Sequence, residues 1–143
     1  MADTPYALMM KAIQEGTYDF ASATVKLMLV NIAGGHYSPN FVTDQYLTAI
    51  SSGDRIASTA QLTSVTITAG SGPAAVFAAA NTLFASVASG PAAGAFVIYI
   101  DTGTPSTSPL IFYIDSYSGL PVTPNGSDIN VSFPAGGVFQ LLG

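Results

Sequence analysis

The triplet Asp101-Thr102-Gly103 is the part of the sequence that most resembles catalytic machinery. Retroviral-type aspartic proteases place such a triplet after an apolar strand, and two of these carboxylates in a dimer share a proton and activate water. Here Thr104 and Pro105 follow the triplet, where those proteases keep a small Ala or Ser. Because Asp-Thr-Gly is also a common turn composition, the sequence favours a hairpin turn over a protease.

His36 is the one histidine, so any Ser-His-Asp triad would have to use it. It lies between Gly35 and Tyr37 in a polar loop, and the chain has no Gly-x-Ser-x-Gly elbow to present a nucleophile. A structural or solvent-facing histidine is therefore the favoured interpretation.

The eight carboxylates are spread singly along the chain, without the Asp-x-Asp-x-Asp loop of calcium sites. A tertiary cluster of Asp101, Asp115 and Asp128 stays open as an alternative to turn capping by each of them. No Gly-Lys-Ser/Thr phosphate loop occurs. We therefore predict no enzyme, no catalytic residue, no metal site and no cofactor.

Tyrosine is the remaining residue type with a binding role, and two functions stay open for it. A sugar-stacking platform could be formed by some of the seven tyrosines, although the chain has no Trp: Tyr6, Tyr18, Tyr37, Tyr46, Tyr99, Tyr113 and Tyr117. Tyrosines with an apolar body and a polar tip also suit protein interfaces, which we favour.

The low charge content is the most informative feature of the composition. Only 8% of the 143 residues are charged, against about 25% in a typical protein, and the net charge is −5. Three basic residues cannot neutralise many phosphates, which argues against nucleic-acid and anionic-membrane partners. A surface of Ser, Thr and Gly suits a protein covered by a partner, with a soluble monomer as the alternative.

The chain length fits one domain, and the pattern of residues predicts mainly strands. Residues 5–14 form the convincing helix, with Asp3 or Thr4 as cap and Pro5 in the first turn. Segment 23–32 alternates little, so we predict a strand covered on both faces. A second short helix is predicted at 45–50. Further strands are predicted at 56–61, 64–69, 74–79, 82–87, 95–101, 110–115, 128–133 and 138–142, with helix as the alternative for 74–88.

A local duplication marks one hairpin in this pattern. The segment Val97-Ile98-Tyr99-Ile100-Asp101-Thr102 is echoed by Ile111-Phe112-Tyr113-Ile114-Asp115-Ser116. Since Tyr and Asp are two residues apart, we expect one aliphatic face and one Tyr/Asp face. The predicted fold is an antiparallel β-sandwich, with a jelly roll among its topologies. Residues 1–16 form a helical arm and 17–143 a single domain.

Several phrases of the sequence together resemble a known family. They are Asp19-Phe20, Val25-Lys26-Leu27-Met28-Leu29-Val30, Tyr37-Ser38-Pro39-Asn40, Thr43-Asp44-Gln45-Tyr46-Leu47, Val97-Ile98-Tyr99-Ile100-Asp101-Thr102-Gly103, Ser108-Pro109-Leu110-Ile111, Gly119-Leu120-Pro121-Val122-Thr123-Pro124-Asn125-Gly126 and Gly136-Gly137-Val138-Phe139-Gln140-Leu141. They resemble a family of small virion structural proteins of tailed phages over residues 17–141. The alanine-rich stretch 74–95 departs from that resemblance.

The resemblance implies a capsid decoration, or cement, protein on the capsid surface of the virion. Its partners would be the major capsid protein and copies of itself in a homo-oligomer, with a trimer as one candidate. A tail or connector protein and a carbohydrate-binding host-attachment module stay open as alternatives. The predicted partner contacts lie in the helix and in the loop 34–41: Pro5, Leu8, Met9, Ile13, His36, Tyr37 and Phe41.

Overall fold

The computed structural model describes residues 3–20, 22–69, 74–133 and 139–142, with only the main chain given at 58, 59, 74 and 139–142. Within these ranges, one α-helix, α1 (Ala7–Gln14), accompanies ten strands. The strands are β1 (Thr4–Pro5), β2 (Val25–Val30), β3 (Arg55–Gln61), β4 (Thr66–Ala69), β5 (Ala74–Ala78), β6 (Thr82–Phe84), β7 (Ala95–Ile100), β8 (Leu110–Ile114), β9 (Ile129–Val131) and β10 (Phe139–Leu142).

All pairings between these strands are antiparallel. They form a five-stranded sheet in the order β1-β8-β7-β2-β3, a three-stranded sheet β10-β5-β4 and a two-stranded sheet β6-β9. The prediction of a mainly β, antiparallel fold is confirmed. The ambiguous stretch 74–88 contains β5 and β6, so its alanines do not produce a helix.

The core lies around β2, β7 and β8. Every residue of β7 and β8 is buried, and so are all residues of β2 except Lys26. Successive side chains of a strand point to opposite faces, so the central sheet is covered on both sides. This confirms the prediction that segment 23–32 forms a strand covered on both faces, which followed from its run of Val, Leu and Met.

The predicted hairpin forms between β7 and β8, with Phe96 opposite Ile114 and Ile98 opposite Phe112. As expected, these four apolar residues share one face of the hairpin, and Tyr113 lies on the other face opposite Val97. Tyr99 and Tyr113 are only 2% and 1% exposed, because both faces of the hairpin are covered. Residue alternation shows which side chains share a face, whereas the layers packed on the sheet decide whether that face meets solvent.

The N-terminus begins differently from the prediction. Helix α1 starts at Ala7, and Tyr6 precedes it without a side-chain cap. Pro5 and the residue before it belong to β1, which pairs with β8. The Asp3 carboxylate accepts hydrogen bonds from the Ser116 N–H (3.1 Å) and hydroxyl (2.6 Å) instead of capping the helix. Tertiary pairing has thus replaced the local capping preference.

The described part of segment 1–16 packs on its own domain. Tyr6 is fully buried and Met9 is 2% exposed. Deletion of the segment would therefore remove core side chains as well as any contact with a partner. The second predicted helix, 45–50, is a single 3₁₀ turn, Leu47–Ala49, followed by another, Ser52–Asp54.

Candidate interaction surface

The two regions predicted to contact a partner meet in a group that we call the tyrosine cluster: Tyr6, Tyr37, Phe41, Asp44 and Tyr113. The Tyr6 and Tyr37 hydroxyl oxygens are 2.8 Å apart, and Tyr37 donates to Asp44 Oδ2 at 2.8 Å. The Phe41 ring centroid lies 5.5 Å from that of Tyr6 and 5.6 Å from that of Tyr113. The cluster therefore fastens the loop 34–41 to the N-terminal segment and to β8.

Burial keeps the hydroxyl groups of this cluster protonated. It is the main cause that raises the pKa of Tyr6 and Tyr37 above the ordinary tyrosine value. Burial likewise raises the pKa of Tyr113 to about 12, with the Asp115 charge as a further cause. These tyrosines bind within their own chain, where their role is structural.

The predicted contact residues differ in whether a partner can reach them. Met9 and Tyr37 are 2% and 6% exposed, so they support the surface from inside and do not contact a partner directly. The others are half-buried or, for His36, exposed: Pro5, Leu8, Ile13, His36 and Phe41. Partner contact by these five stays a prediction.

His36 pairs with an aspartate that the sequence did not indicate. Its Nδ1 lies 2.6 Å from Asp54 Oδ1, although the two residues are far apart in the chain. The His36 side chain is 49% exposed and that of Asp54 is 13% exposed. The pair joins the loop 34–41 to the 3₁₀ turn before β3, which accounts for the histidine structurally.

The Asp101-Thr102-Gly103 triplet forms a turn. Lys26 Nζ lies 2.6 Å from Asp101 Oδ2, and the Gly103 N–H donates to Oδ1 at 2.9 Å. The bond to Lys26, followed by the bond to Gly103, lowers the pKa of the Asp101 carboxyl. A protease dyad needs one carboxyl that retains a proton, whereas these contacts favour an ionised Asp101.

The structure does not bring the three candidate metal ligands together. Asp101 pairs with Lys26, Asp115 hydrogen-bonds Tyr113, and Asp128 accepts the Ser86 N–H at 2.7 Å. Across the described ranges, no three His, Cys, Asp or Glu side chains are grouped as a metal site would require. Turn capping and local pairing explain these carboxylates.

Of the tyrosines considered for a sugar platform, Tyr99 and Tyr113 cannot take part. Both rings are almost fully enclosed, so neither presents a face on which a sugar could stack. A shallow 290 Å³ pocket exists elsewhere, lined by residues 55–57 and 84–88. Its one ionisable residue, Arg55, donates from Nε to the Ile50 carbonyl and from an Nη to that of Leu47. These bonds hold the guanidinium in a structural role.

The residue-by-residue prediction missed one feature of the chain, the stretch 56–100, which runs from β3 to the end of β7. No Asp, Glu, Lys, Arg or His occurs between Arg55 and Asp101. We call this stretch the uncharged segment. Its described part contains two exposed large aliphatic side chains, Ile67 (45%) and Leu83 (47%). The third exposed aliphatic side chain, Val42 (71%), lies beside the loop 34–41.

Strand β4 is the most exposed element of the uncharged segment. All four of its residues are exposed, although a paired strand commonly buries at least one face. The sequence signal was present, since Val65, Thr66, Ile67 and Thr68 are β-branched and no charge interrupts them. Low charge and exposed aliphatic groups are characteristic of surfaces that another protein covers.

No protein-family model matches this chain, and a comparison with curated proteins finds no match either. Over the described residues, α1 and the other helices fall short of the length and apolar composition needed to cross a membrane. The functional inference therefore rests on the geometry above and on the sequence resemblance.

Proposed function

We propose that this protein is a non-enzymatic structural component of a virion, most specifically a capsid decoration protein of a tailed phage. The observation that carries the proposal is the uncharged segment, which presents Ile67, Leu83 and the whole of β4 to solvent. A surface without charges loses little hydration when a partner covers it, so close packing against a capsid subunit costs little.

The central sheet suits a protein that must resist mechanical load. Strands β2, β7 and β8 are buried on both faces, and their cross-strand pairs are mostly aliphatic and aromatic. Such pairs each contribute roughly 0.2–1 kcal/mol, and shearing the sheet would break many of them together. In this proposal the domain bridges neighbouring major capsid proteins and opposes the pressure of packaged DNA.

The distribution of charge supports a position on the outer surface of the capsid. The net charge is −5, and the eight acidic residues all lie outside the uncharged segment. An acidic surface is repelled by the phosphates of packaged DNA, whereas it is compatible with solvent outside the shell. The uncharged segment would then face the shell, and the acidic remainder would face outward.

Attachment to particles tests this function directly. Particles of the phage that encodes this chain, prepared with its gene deleted, are incubated with purified protein, and the bound copies per particle are counted. We expect saturation on the order of hundreds of copies, because shell symmetry repeats each site many times. A few copies at one vertex would support a tail or connector protein instead, and no binding would overturn the virion proposal.

Two matched variants locate the contact. Leu83→Glu places a charge within the uncharged segment, and Val42→Glu places the same charge beside the loop 34–41. Both positions are exposed, so both variants should fold. We expect Leu83→Glu to weaken attachment and Val42→Glu to leave it unchanged. The reverse result would place the contact at the N-terminal face, as the sequence first suggested.

A further inference from the structure

Among the described residues, one edge of β4 pairs with no other strand. Strand β4 pairs with β5 through Thr66 opposite Ala78, Ile67 opposite Phe77 and Thr68 opposite Val76. It is the last strand of the β10-β5-β4 sheet within the described residues. Half of the main-chain N–H and C=O groups of an edge strand point away from its neighbour, so they are available to another strand.

The edges of the five-stranded sheet carry features that prevent such pairing. Strand β1 has only two residues, one of them Pro5, which has no N–H to donate. Strand β3 starts with Arg55, and β6 packs beside it. Strand β4 has no proline, no charge and no bulge in its pairing with β5. Natural proteins commonly use such features to block edge-to-edge association, so their lack at β4 marks a contact edge.

One face of the β5-β4 pair carries a row of apolar side chains that is covered at β5 and partly exposed at β4. Residues directly opposite in an antiparallel pair share one face, so Ile67 lies on the same face as Phe77. Phe77 is 2% exposed and packs edge-to-face on Phe20, with ring centroids 5.9 Å apart. Ile67 continues this row and is 45% exposed at its end. A further strand at the edge of β4 would cover Ile67.

The charge distribution identifies the strand that fits there. A basic or acidic partner would find no complementary charge on β4, because β4 and its neighbour β5 contain no charged residue. A second copy of this chain carries a net charge of −5, so it is repelled least where its own surface is uncharged. Its β4 supplies an uncharged, β-branched strand whose open edge has the same pattern of donors and acceptors.

We propose that β4 pairs antiparallel with β4 of a second copy, joining two three-stranded sheets into one of six strands. The contact is a twofold, isologous one, so it closes as a dimer. It deepens the proposed function and rests on its premise that many copies of this chain bind one shell. In the joined sheet, the two Ile67 side chains lie on the same face and cover each other.

The size of this contact predicts a weak dimer. Two strands of four residues bury much less than the roughly 1,000 Å² of a stable protein interface. We therefore expect reversible dimerisation with a dissociation constant of roughly 10–500 μM in solution. On a particle that holds many copies, the same contact would be strengthened by effective concentration.

Cysteine cross-linking tests the pairing directly, because the natural chain has no cysteine. Single substitutions Thr66→Cys, Ile67→Cys and Thr68→Cys are compared with Val42→Cys under mild oxidation. Opposed residues in a non-hydrogen-bonded antiparallel pair have Cα atoms about 4.5 Å apart, which a disulfide can span. We expect rapid cross-linking of at least one β4 variant, and slow cross-linking of Val42→Cys.

A charge substitution provides the second, independent measurement. In sedimentation velocity, Ile67→Lys should weaken dimerisation by about tenfold or more, because two like charges would face each other and the Ile67 contact would be lost. Val42→Lys adds the same charge at an exposed position outside the uncharged segment, so it should leave the dimer unchanged. Circular dichroism of both variants establishes that they fold.

The outcomes separate this inference from the proposed function. A monomer at every concentration, or a dimer that cross-links no faster at β4 than at Val42→Cys, overturns the β4 pairing. If such a chain still decorates particles, the proposed function stands without this contact. A dimer that pairs through β4 and binds no particles supports the pairing and removes the virion role.

Discussion

The tyrosine cluster allows a quantitative prediction about coupled hydrogen bonds. The Tyr37 hydroxyl has one proton, which it donates to Asp44 Oδ2 at 2.8 Å. The 2.8 Å contact between the two tyrosine hydroxyls must therefore be donated by Tyr6. Among the described residues, Tyr37 is the hydrogen-bond partner of the Tyr6 hydroxyl, and the Tyr6 side chain is fully buried.

The two phenylalanine substitutions should therefore differ in cost. Tyr6→Phe removes one neutral hydrogen bond, worth about 0.5–1.5 kcal/mol. Tyr37→Phe removes that bond and the bond to the Asp44 carboxylate, and it leaves the Tyr6 hydroxyl buried without its acceptor. We expect it to lower the free energy of unfolding by about 2–4 kcal/mol.

The double variant is the decisive one. Once Tyr37 is Phe, replacing Tyr6 as well removes a buried hydroxyl that has lost its acceptor. We therefore expect the double variant to be no less stable than Tyr37→Phe, with a coupling free energy of about 1 kcal/mol. Urea unfolding with linear extrapolation and an unchanged m value provides the measurement.

The half-buried Tyr18 lies outside the cluster and supplies the control. Tyr18→Phe should change the free energy of unfolding by no more than about 0.5 kcal/mol. Additive costs for Tyr6→Phe and Tyr37→Phe would contradict the hydrogen-bond chain. A larger cost for Tyr6→Phe than for Tyr37→Phe would reverse the assigned donor direction.

Three further predictions concern other contacts. Lys26 and the Gly103 N–H lower the pKa of the Asp101 carboxyl from its unfolded value of 3.8. These two contacts therefore stabilise the fold above pH 3.8, and this stabilisation is lost as the pH falls below that value. Lys26→Met should thus cost about 1 kcal/mol near neutral pH and almost nothing in strong acid, as measured by urea unfolding. Burial raises the pKa of Tyr113 from 10.0 to about 12, so stability should fall as the pH rises between these values. Circular dichroism should show this loss, and a chain that is equally stable across that range would contradict it. A Cβ at Gly94 would lie 2.5 Å from Ile32 Cγ1, so Gly94→Ala should cost about 1–3 kcal/mol. Adding Ile32→Ala should recover part of that loss in thermal unfolding, and no recovery would place the strain elsewhere.

The fold class was predictable because its signal is local. Continuous apolar runs became β2, β7 and β8, and turn residues at regular spacing separated the other strands. Local rules failed where a distant segment competed with them. Asp3 is a good helix cap by type, yet it bonds Ser116, more than a hundred residues away in the chain. Likewise, Asp54 was not recognisable as the partner of His36 before the loop and the 3₁₀ turn were brought together.

For the candidate interaction surface, too, the sequence shows some features and only the fold shows the others. The sequence alone determined that the chain has few charges, no cysteine and no recognised catalytic motif, because these follow from residue type and order. It also contained the uncharged segment. Only the tertiary structure decided that Tyr99 and Tyr113 are enclosed, that Met9 and Tyr37 belong to the core, and that β4 ends its sheet. Exposure depends on which strands pair and which layers cover them. Those contacts join residues far apart in the chain, where residue alternation carries no information.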